Sequence, residues 1–451
     1  MKHIFFFTIL TLALNSANAQ REPLSSGGGE YVIETTEDKC LSDIDRAAIQ
    51  RRLEISRMKL EAEGKLNFSG DREEVQFIWP VRNAAELNWN SSYGISAHVD
   101  QDPSADVLDY ECSFKTYGGH FGTDIFTWPY PWHLVENDLV EVVAGFEGVI
   151  IEKDDGFDDD HCECIGSWNA VYVQHSDGSV AWYGHMKKGS LTTKAIGETV
   201  NQGEYLGIVA SSGCSTGPHL HLEVYDADVQ LVDPYEGTCN SLNADTWWLE
   251  QKPHWDPTIN TILTHDALPE HGCPSINEDP HFQDYFFPGD LIYTAGYFHD
   301  AIPGTVADYR VLTPDGGVWA EWSTTNDTYY NASWWYWSWT LPFDSPTGEW
   351  IFEATCEGDI LTHPFYCGVF AGVEEEKTNQ LSIFPNPTNQ NLVQIGGLIQ
   401  PVNAISIFDV TGKIVSQTTI EAGILDVSNL AKGIYFVQVQ AENELIKLVI
   451  N

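Results

Sequence analysis

The sequence predicts a mainly β protein: an antiparallel β-sheet domain with an N-terminal helix, followed by two β-sandwich-like domains. Three observations carry this. Short apolar runs broken by Gly, Asp and Asn recur from about Val75 to Pro234, with few stretches of helical period. A second strand-rich segment runs from about Pro288 to Gly368, and a third follows the charged run Glu374-Glu375-Glu376-Lys377. A chain of 451 residues has room for such a set of domains.

Residues 1–19 read as a signal peptide. Lys2 and His3 make a basic start, Ile4 to Leu14 an apolar core, and Ala17-Asn18-Ala19 a small-residue cleavage site. The apolar run is too short for a stable membrane span, and no other segment approaches that length. The expectation is an exported, soluble protein without a transmembrane segment.

Residues 20–70 form an N-terminal helical segment. Ser25 to Gly29 reads as flexible. Ser42 with Asp45 then resembles a capping box, Ile49, Leu53, Ile55, Met58 and Leu60 partly follow helical spacing, and Gly64 ends the run. Whether this segment is a pro-region or a packing helix stays open at this level.

Residues 71–260 hold the predicted strands Glu141–Ala144, Gly148–Glu152, Ala170–Gln174, Val180–Tyr183 and His219–Tyr225. Between them, Asp154 to Asp160 is an acidic loop; it lacks the closing Glu of a calcium loop and reads mainly as solvated. Residues 261–372 form an accessory β domain, in which a two-residue period puts Trp335, Trp337 and Trp339 on one strand face. That row serves either a sandwich core or a surface that stacks on sugar rings or apolar peptide. Residues 373–451 contain Phe384-Pro385-Asn386-Pro387, Ile405 to Asp409, Gly412-Lys413 and Gly433 to Val437, the pattern of a small sandwich.

The net charge is −44, from 22 Lys+Arg against 66 Asp+Glu. Such a field repels nucleic-acid phosphates and anionic lipid and attracts cations. Nine cysteines in an exported chain point to disulfides, including for Cys162 and Cys164. Proximity suggests Cys356–Cys367 and Cys239–Cys273, and an odd count leaves one thiol unpaired.

The chemistry concentrates in three motifs. Gly118-Gly119-His120-Phe121-Gly122-Thr123-Asp124 offers an imidazole and a carboxylate, with glycines that permit a tight bend. Gly217-Pro218-His219-Leu220-His221-Leu222-Glu223 begins a strand whose period puts both histidines on one face. Tyr183-Gly184-His185 is expected to put its two end side chains on a common face as well. Hydrolytic zinc sites take three His and carboxylate ligands and keep a position for water. His120, Asp124 and His221 supply that set for one zinc ion per chain. His185 and His219 remain beside it as groups able to take a proton or stabilise an oxyanion. His133 and His161 read as surface histidines.

These motifs resemble peptidase family M23, the lysostaphin- or LytM-type endopeptidases. The family pattern stands here as His120-Phe-Gly-Thr-Asp124, Tyr183-Gly-His185 and Gly213-Cys-Ser-Thr-Gly-Pro-His219-Leu-His221, within a run of hairpin glycines. The resemblance implies a zinc metalloendopeptidase with His120, Asp124 and His221 as metal ligands and His185 and His219 as the catalytic pair. It implies peptide bonds of peptidoglycan, or of extracellular glycine-rich proteins, as substrate. The C-terminal segment resembles the type IX secretion sorting domain of Bacteroidetes, in its Pro-Asn-Pro turn, Gly-Lys hairpin and Gly-Ile-Tyr strand. That implies the type IX machinery as a partner and an extracellular or outer-surface location. The alternative function is a non-catalytic wall- or surface-binding protein that uses the Trp-rich domain. Cys40 is a conceivable zinc ligand, with a structural disulfide as its ordinary reading.

Overall fold

Buried residues alternate with more exposed ones along Val306–Leu312 and Gly348–Cys356, whereas Thr123–Thr127, Ala170–Gln174 and Val180–Gly184 are buried on both faces. The computed structural model describes residues 21–33, 40–66, 75–102, 104, 106–273, 275–368, 381–396, 402–410, 412–421, 423–439 and 444–451. The predicted signal peptide and the linker 374–377 lie outside the described residues. Residues 1–368 make one compact unit and 369–451 another.

The first unit is built around an antiparallel sheet of eight strands. Tyr93–Ala97, Thr123–Thr127, His219–Tyr225, Val180–Gly184, Ala170–Gln174, Gly148–Asp154 and Thr199–Val200 lie side by side in that order, and Leu231–Val232 pairs with His219–Tyr225. A three-stranded sheet, Tyr205–Ile208, Val140–Val143 and Val81–Asn83, covers one face. Leu220, Leu222 and Val224 point into the core between the two sheets, with Ile150, Val171, Val173 and Ala181. The period of two therefore turns His219, His221 and Glu223 to the other face.

The helix Asp43–Ala62 covers that other face. Ser42 caps it, accepting from the Asp45 backbone N–H at 3.1 Å, and Gly64 takes the left-handed conformation just past its end (φ 70°). Ile49, Leu53 and Leu60 pack on Ile151, Trp168, Tyr172, Trp182 and Tyr225; full burial of each such side chain stabilises by about 1.5–3 kcal/mol. Ile55 and Met58 are exposed instead, so the buried stripe is narrower than the sequence suggested.

A β-sandwich completes the unit. Ser25–Glu30, Tyr330–Thr340, Leu291–Ala301 and Thr258–His265 form one sheet; Tyr285–Phe286, Asp359–Cys367, Gly348–Cys356, Val306–Leu312 and Val318–Thr325 form the other. Trp337 and Trp339 are buried in its core and Trp335 packs against it, so the aromatic row is a core feature. Ser25 to Gly29, expected to be flexible, is an edge strand paired with Trp334–Ser338. Its small residues answer a steric demand: a Cβ on Gly28 would stand 2.1 Å from the Trp334 carbonyl, and one on Gly27 would meet the Tyr336 ring at 2.9 Å.

Two expected disulfides are corrected. The bridges are Cys112–Cys239, Cys162–Cys273 and Cys164–Cys214. Cys40, Cys356 and Cys367 are buried and free of disulfides. Cys356 faces Asp359 and Cys367 faces Gly348, at opposite ends of one antiparallel hairpin, so nearness in sequence does not bring them together.

The second unit pairs a three-stranded sheet, Ser382–Phe384, Leu392–Gly396 and Ile424–Asp426, with a four-stranded one, Ile414–Glu421, Val402–Asp409, Gly433–Val439 and Glu444–Ile450. Ile383, Val393, Ile405, Ile407, Leu425 and Val437 fill its core.

Candidate metal centre

Strand register brings the first and last motifs together, because His221 and Asp124 are direct neighbours across antiparallel strands. His221 Nδ1 lies 2.7 Å from Asp124 Oδ1. His120, from the turn before that strand, places Nε2 3.1 Å from Asp124 Oδ1 and 3.3 Å from His221 Nδ1. Two donors bound to zinc at 2.0–2.1 Å stand about 3.3 Å apart at tetrahedral angles; the two His120 distances are close to that, the 2.7 Å between His221 and Asp124 is a direct hydrogen-bond distance, and the three donors converge on one point.

The tautomers suit the same use. His120 Nδ1 donates to the His98 carbonyl at 2.7 Å, which leaves Nε2 free. His221 Nε2 is 3.0 Å from Glu223 Oε1, which directs Nδ1 toward the trio. These are the outer contacts that orient metal-ligating histidines. Glu223 in turn accepts from Arg46 of the helix at 2.8 Å and from the Tyr225 hydroxyl at 2.6 Å. Burial would raise the Glu223 pKa, but the His221 hydrogen bond and the Arg46 charge outweigh it and hold it at about 2. Burial also opposes charge on Asp124, and the His120, His219 and His221 rings nevertheless keep its carboxyl well below the usual range. Burial disfavours a charged His221; Cys40 and Asp124 overcome that and raise its pKa.

The other two histidines flank the trio. His185 Nδ1 donates to the Ser212 carbonyl at 2.5 Å, and His219 Nδ1 to the Gly217 carbonyl at 2.8 Å. Their rings are 4.4 Å apart, and His219 Nε2 is 3.6 Å from Asp124 Oδ1. Burial pushes the His185 pKa well down, helped by the nearby His219 and His221 rings, and burial lowers His219 as well. With Nδ1 donating to a carbonyl, each ring offers Nε2 as its acceptor.

One sequence expectation fails here. Tyr183 and His185 do not share a face: Tyr183 is packed between the sheets. His185 stands just past its strand in the left-handed region (φ 61°), and that turn of the backbone swings its ring to the site. The glycines also act differently from a simple bend. Gly119 takes positive φ (71°), whereas Gly122 serves packing: a Cβ there would lie 2.7 Å from His221 Nε2 and 2.7 Å from the Leu222 carbonyl.

Several contributors escaped the sequence reading. Tyr117 stacks on the His120 ring at 4.3 Å and donates to Asp124 Oδ2 at 3.3 Å. Glu223 was within reach of sequence reasoning, since it continues the two-residue period of His219 and His221. Arg46 and Tyr117 carried no local signal. His133 is half-buried rather than a plain surface residue, in the short helix Pro131–Glu136 that the sequence did not suggest. The acidic loop is engaged by protein groups: Asp154 pairs with Arg52, Asp158 with Lys188, and Asp159 accepts from the Lys188 backbone. Two trios of potential metal donors occur among the described residues, and neither lies in that loop.

The fold and site thus define a β-sheet domain with a His/Asp/His donor cluster on one face. The model of peptidase family M23 matches residues 133–234, and that of a secretion system C-terminal sorting domain matches residues 382–451. His120 and Asp124 precede the matched peptidase region and join it through strand pairing. The chain is 45% identical over 58 residues to DD-carboxypeptidase/endopeptidase Mpg of Neisseria meningitidis, 13% of each protein. It is 40% identical over 55 residues to peptidoglycan DD-endopeptidase ShyC of Vibrio cholerae, 12% of each. The match therefore spans a small part of these relatives. Among solved structures, a mutant catalytic domain of the prophage-encoded M23 protein EnpA from Enterococcus faecalis is 22% identical with a TM-score of 0.23, covering 36% of this chain and 96% of that one. The sorting domain implies secretion to the cell surface or the extracellular space. Among the described residues, no helix is long and apolar enough to cross a membrane.

Proposed function

We propose that the chain is a secreted zinc metalloendopeptidase, with His120, Asp124 and His221 as ligands of one zinc ion and His185 and His219 as its catalytic pair. The observation that carries this reading is the convergence of three donor atoms within 3.3 Å of one another, with the outer nitrogen of each imidazole engaged elsewhere. Zinc, when bound, polarises a peptide carbonyl and acidifies water. Fixed by the Ser212 and Gly217 carbonyls, His185 and His219 accept a proton at Nε2 and return it to the leaving amine. Once protonated, either ring donates toward an oxyanion.

The names of the two bacterial relatives support peptide cross-links of peptidoglycan as the substrate class, with glycine-rich extracellular proteins as the second candidate. The sorting domain, together with the proposed signal peptide at 1–19, supports action outside the cell through the type IX machinery. A binding-only role would rest on the Trp row, and two of its members are buried in the sandwich core. The test is hydrolysis of defined muropeptides and oligoglycine, read by mass spectrometry, with zinc content measured in parallel. His221→Ala is expected to lose zinc and activity together. His185→Ala is expected to keep zinc and lose about 10²–10⁴ in rate. A zinc-loaded, N-terminally trimmed protein that cleaves neither substrate class would sink the endopeptidase reading.

A further inference from the structure

We propose that Cys40 is a further metal ligand that closes this site, making the described stretches 21–33 and 40–66 a built-in inhibitor of the exported chain; this rests on reading His120, Asp124 and His221 as the metal ligands. Cys40 forms no disulfide and is buried. Its Sγ lies 3.0 Å from His185 Nε2, the nitrogen the proposed mechanism needs free. Cys40, His185 and His221 form a second donor trio, with all atoms within 4.8 Å of one another, and it shares His221 with the first. Cys40 edges the apolar cluster under the helix, as a structural thiol would, but its Sγ also faces two imidazoles of the site.

The segment is anchored on both sides of the site. After Cys40, Ser42 opens the helix, and Arg46 donates to the Leu41 carbonyl at 3.2 Å while its other nitrogens hold Glu223. One guanidinium thus ties the inhibitory turn to the carboxylate behind His221. Before Cys40, Tyr31, Val32 and Ile33 line the groove that contains Asp124 and His219. Tyr31 is fixed there by a backbone bond to the Ala332 carbonyl at 2.9 Å and by its ring stacked 4.5 Å from Trp128. An extended peptide substrate would need the groove that these residues narrow along one side.

The chemistry closes without an oxidant. The Cys40 S–H bond is exchanged for a sulfur–metal bond and the proton passes to solvent, so the thiolate takes the coordination position that water requires.

The full chain loaded with cobalt(II) distinguishes this from the underlying metal reading. The wild type is expected to show thiolate-to-cobalt charge-transfer absorption in the near ultraviolet. Cys40→Ser and Cys40→Ala should lose that band, keep the visible cobalt bands, and hydrolyse peptide at least about 10-fold faster than the wild type. Cys356→Ser, in the sandwich core, should behave as the wild type. Cobalt bound with no charge-transfer band, or a band that survives in both Cys40 variants, overturns the thiolate proposal and leaves the His/Asp/His reading standing. If His221→Ala binds as much cobalt as the wild type, both fall.

Discussion

Arg46 and Glu223 form a buried ion pair, 2.8 Å apart with side chains 7% and 0% exposed, that joins the N-terminal helix to the strand bearing His219 and His221. Removing one partner of such a pair leaves an uncompensated buried charge and costs about 3–5 kcal/mol. Arg46→Ala should therefore lower the unfolding midpoint clearly. It should also weaken zinc binding by about 10–100-fold, because Glu223 orients His221. Chelator competition reads the second effect; unchanged affinity in a folded Arg46→Ala protein would mean that Glu223 does not orient the ligand.

Gly122→Ala tests close packing rather than backbone freedom. The added methyl would meet His221 Nε2 and the Leu222 carbonyl at 2.7 Å. Overpacking of this kind costs about 1–3 kcal/mol. The expected result is a destabilised protein whose zinc affinity drops as well, since the displaced ring is a proposed ligand. Denaturant unfolding with and without zinc checks it.

Acid sensitivity should come partly from two buried histidines outside the site. Burial pushes His265 and His299 from 6.5 to about 3, although Pro280 and Asp256 respectively act in the opposite direction. Below pH 6.5 the unfolded chain takes up protons that these folded rings refuse, so stability falls with falling pH. Their contribution is complete above about pH 6.5 and is lost progressively toward pH 3, at about 1.4 kcal/mol per pH unit for each ring at most. Urea unfolding between pH 7 and pH 4 should show a shallower slope in His299→Gln than in the wild type. Parallel slopes would refute the assignment.

The Cys164–Cys214 bridge should matter for catalysis as well as stability. Cys214 lies two residues after Ser212, whose carbonyl fixes His185. Replacing both cysteines by serine is expected to lower kcat more than zinc content. An unchanged rate with lowered stability would confine the bridge to folding.

Much of this was legible because strand chemistry is local. The period of two in His219–Tyr225 separates core leucines from site histidines, and capping by Ser42 sets the helix start. Two of the failures depended on a partner distant in sequence, and a third on a local turn of the backbone. Ser25–Gly29 looks like a linker until Trp334 and Tyr336 lie against it. The cysteine pairs follow chain approach in space, with separations of 127, 111 and 50 residues, not nearness in sequence. His185 reaches the site through a positive φ that no alternation rule expresses.

The sequence alone determined the mainly β class, the strand carrying His219 and His221, and the candidate donor set, because backbone alternation and ligand chemistry are written in neighbouring residues. Only the tertiary structure decided what stands around that set. Arg46 behind Glu223 and Cys40 against His185 are brought there by the helix and sheet packing face to face, and Tyr117 reaches Asp124 from the loop before His120. Burial of that shared interface, not any local motif, holds the N-terminal segment over the proposed catalytic centre.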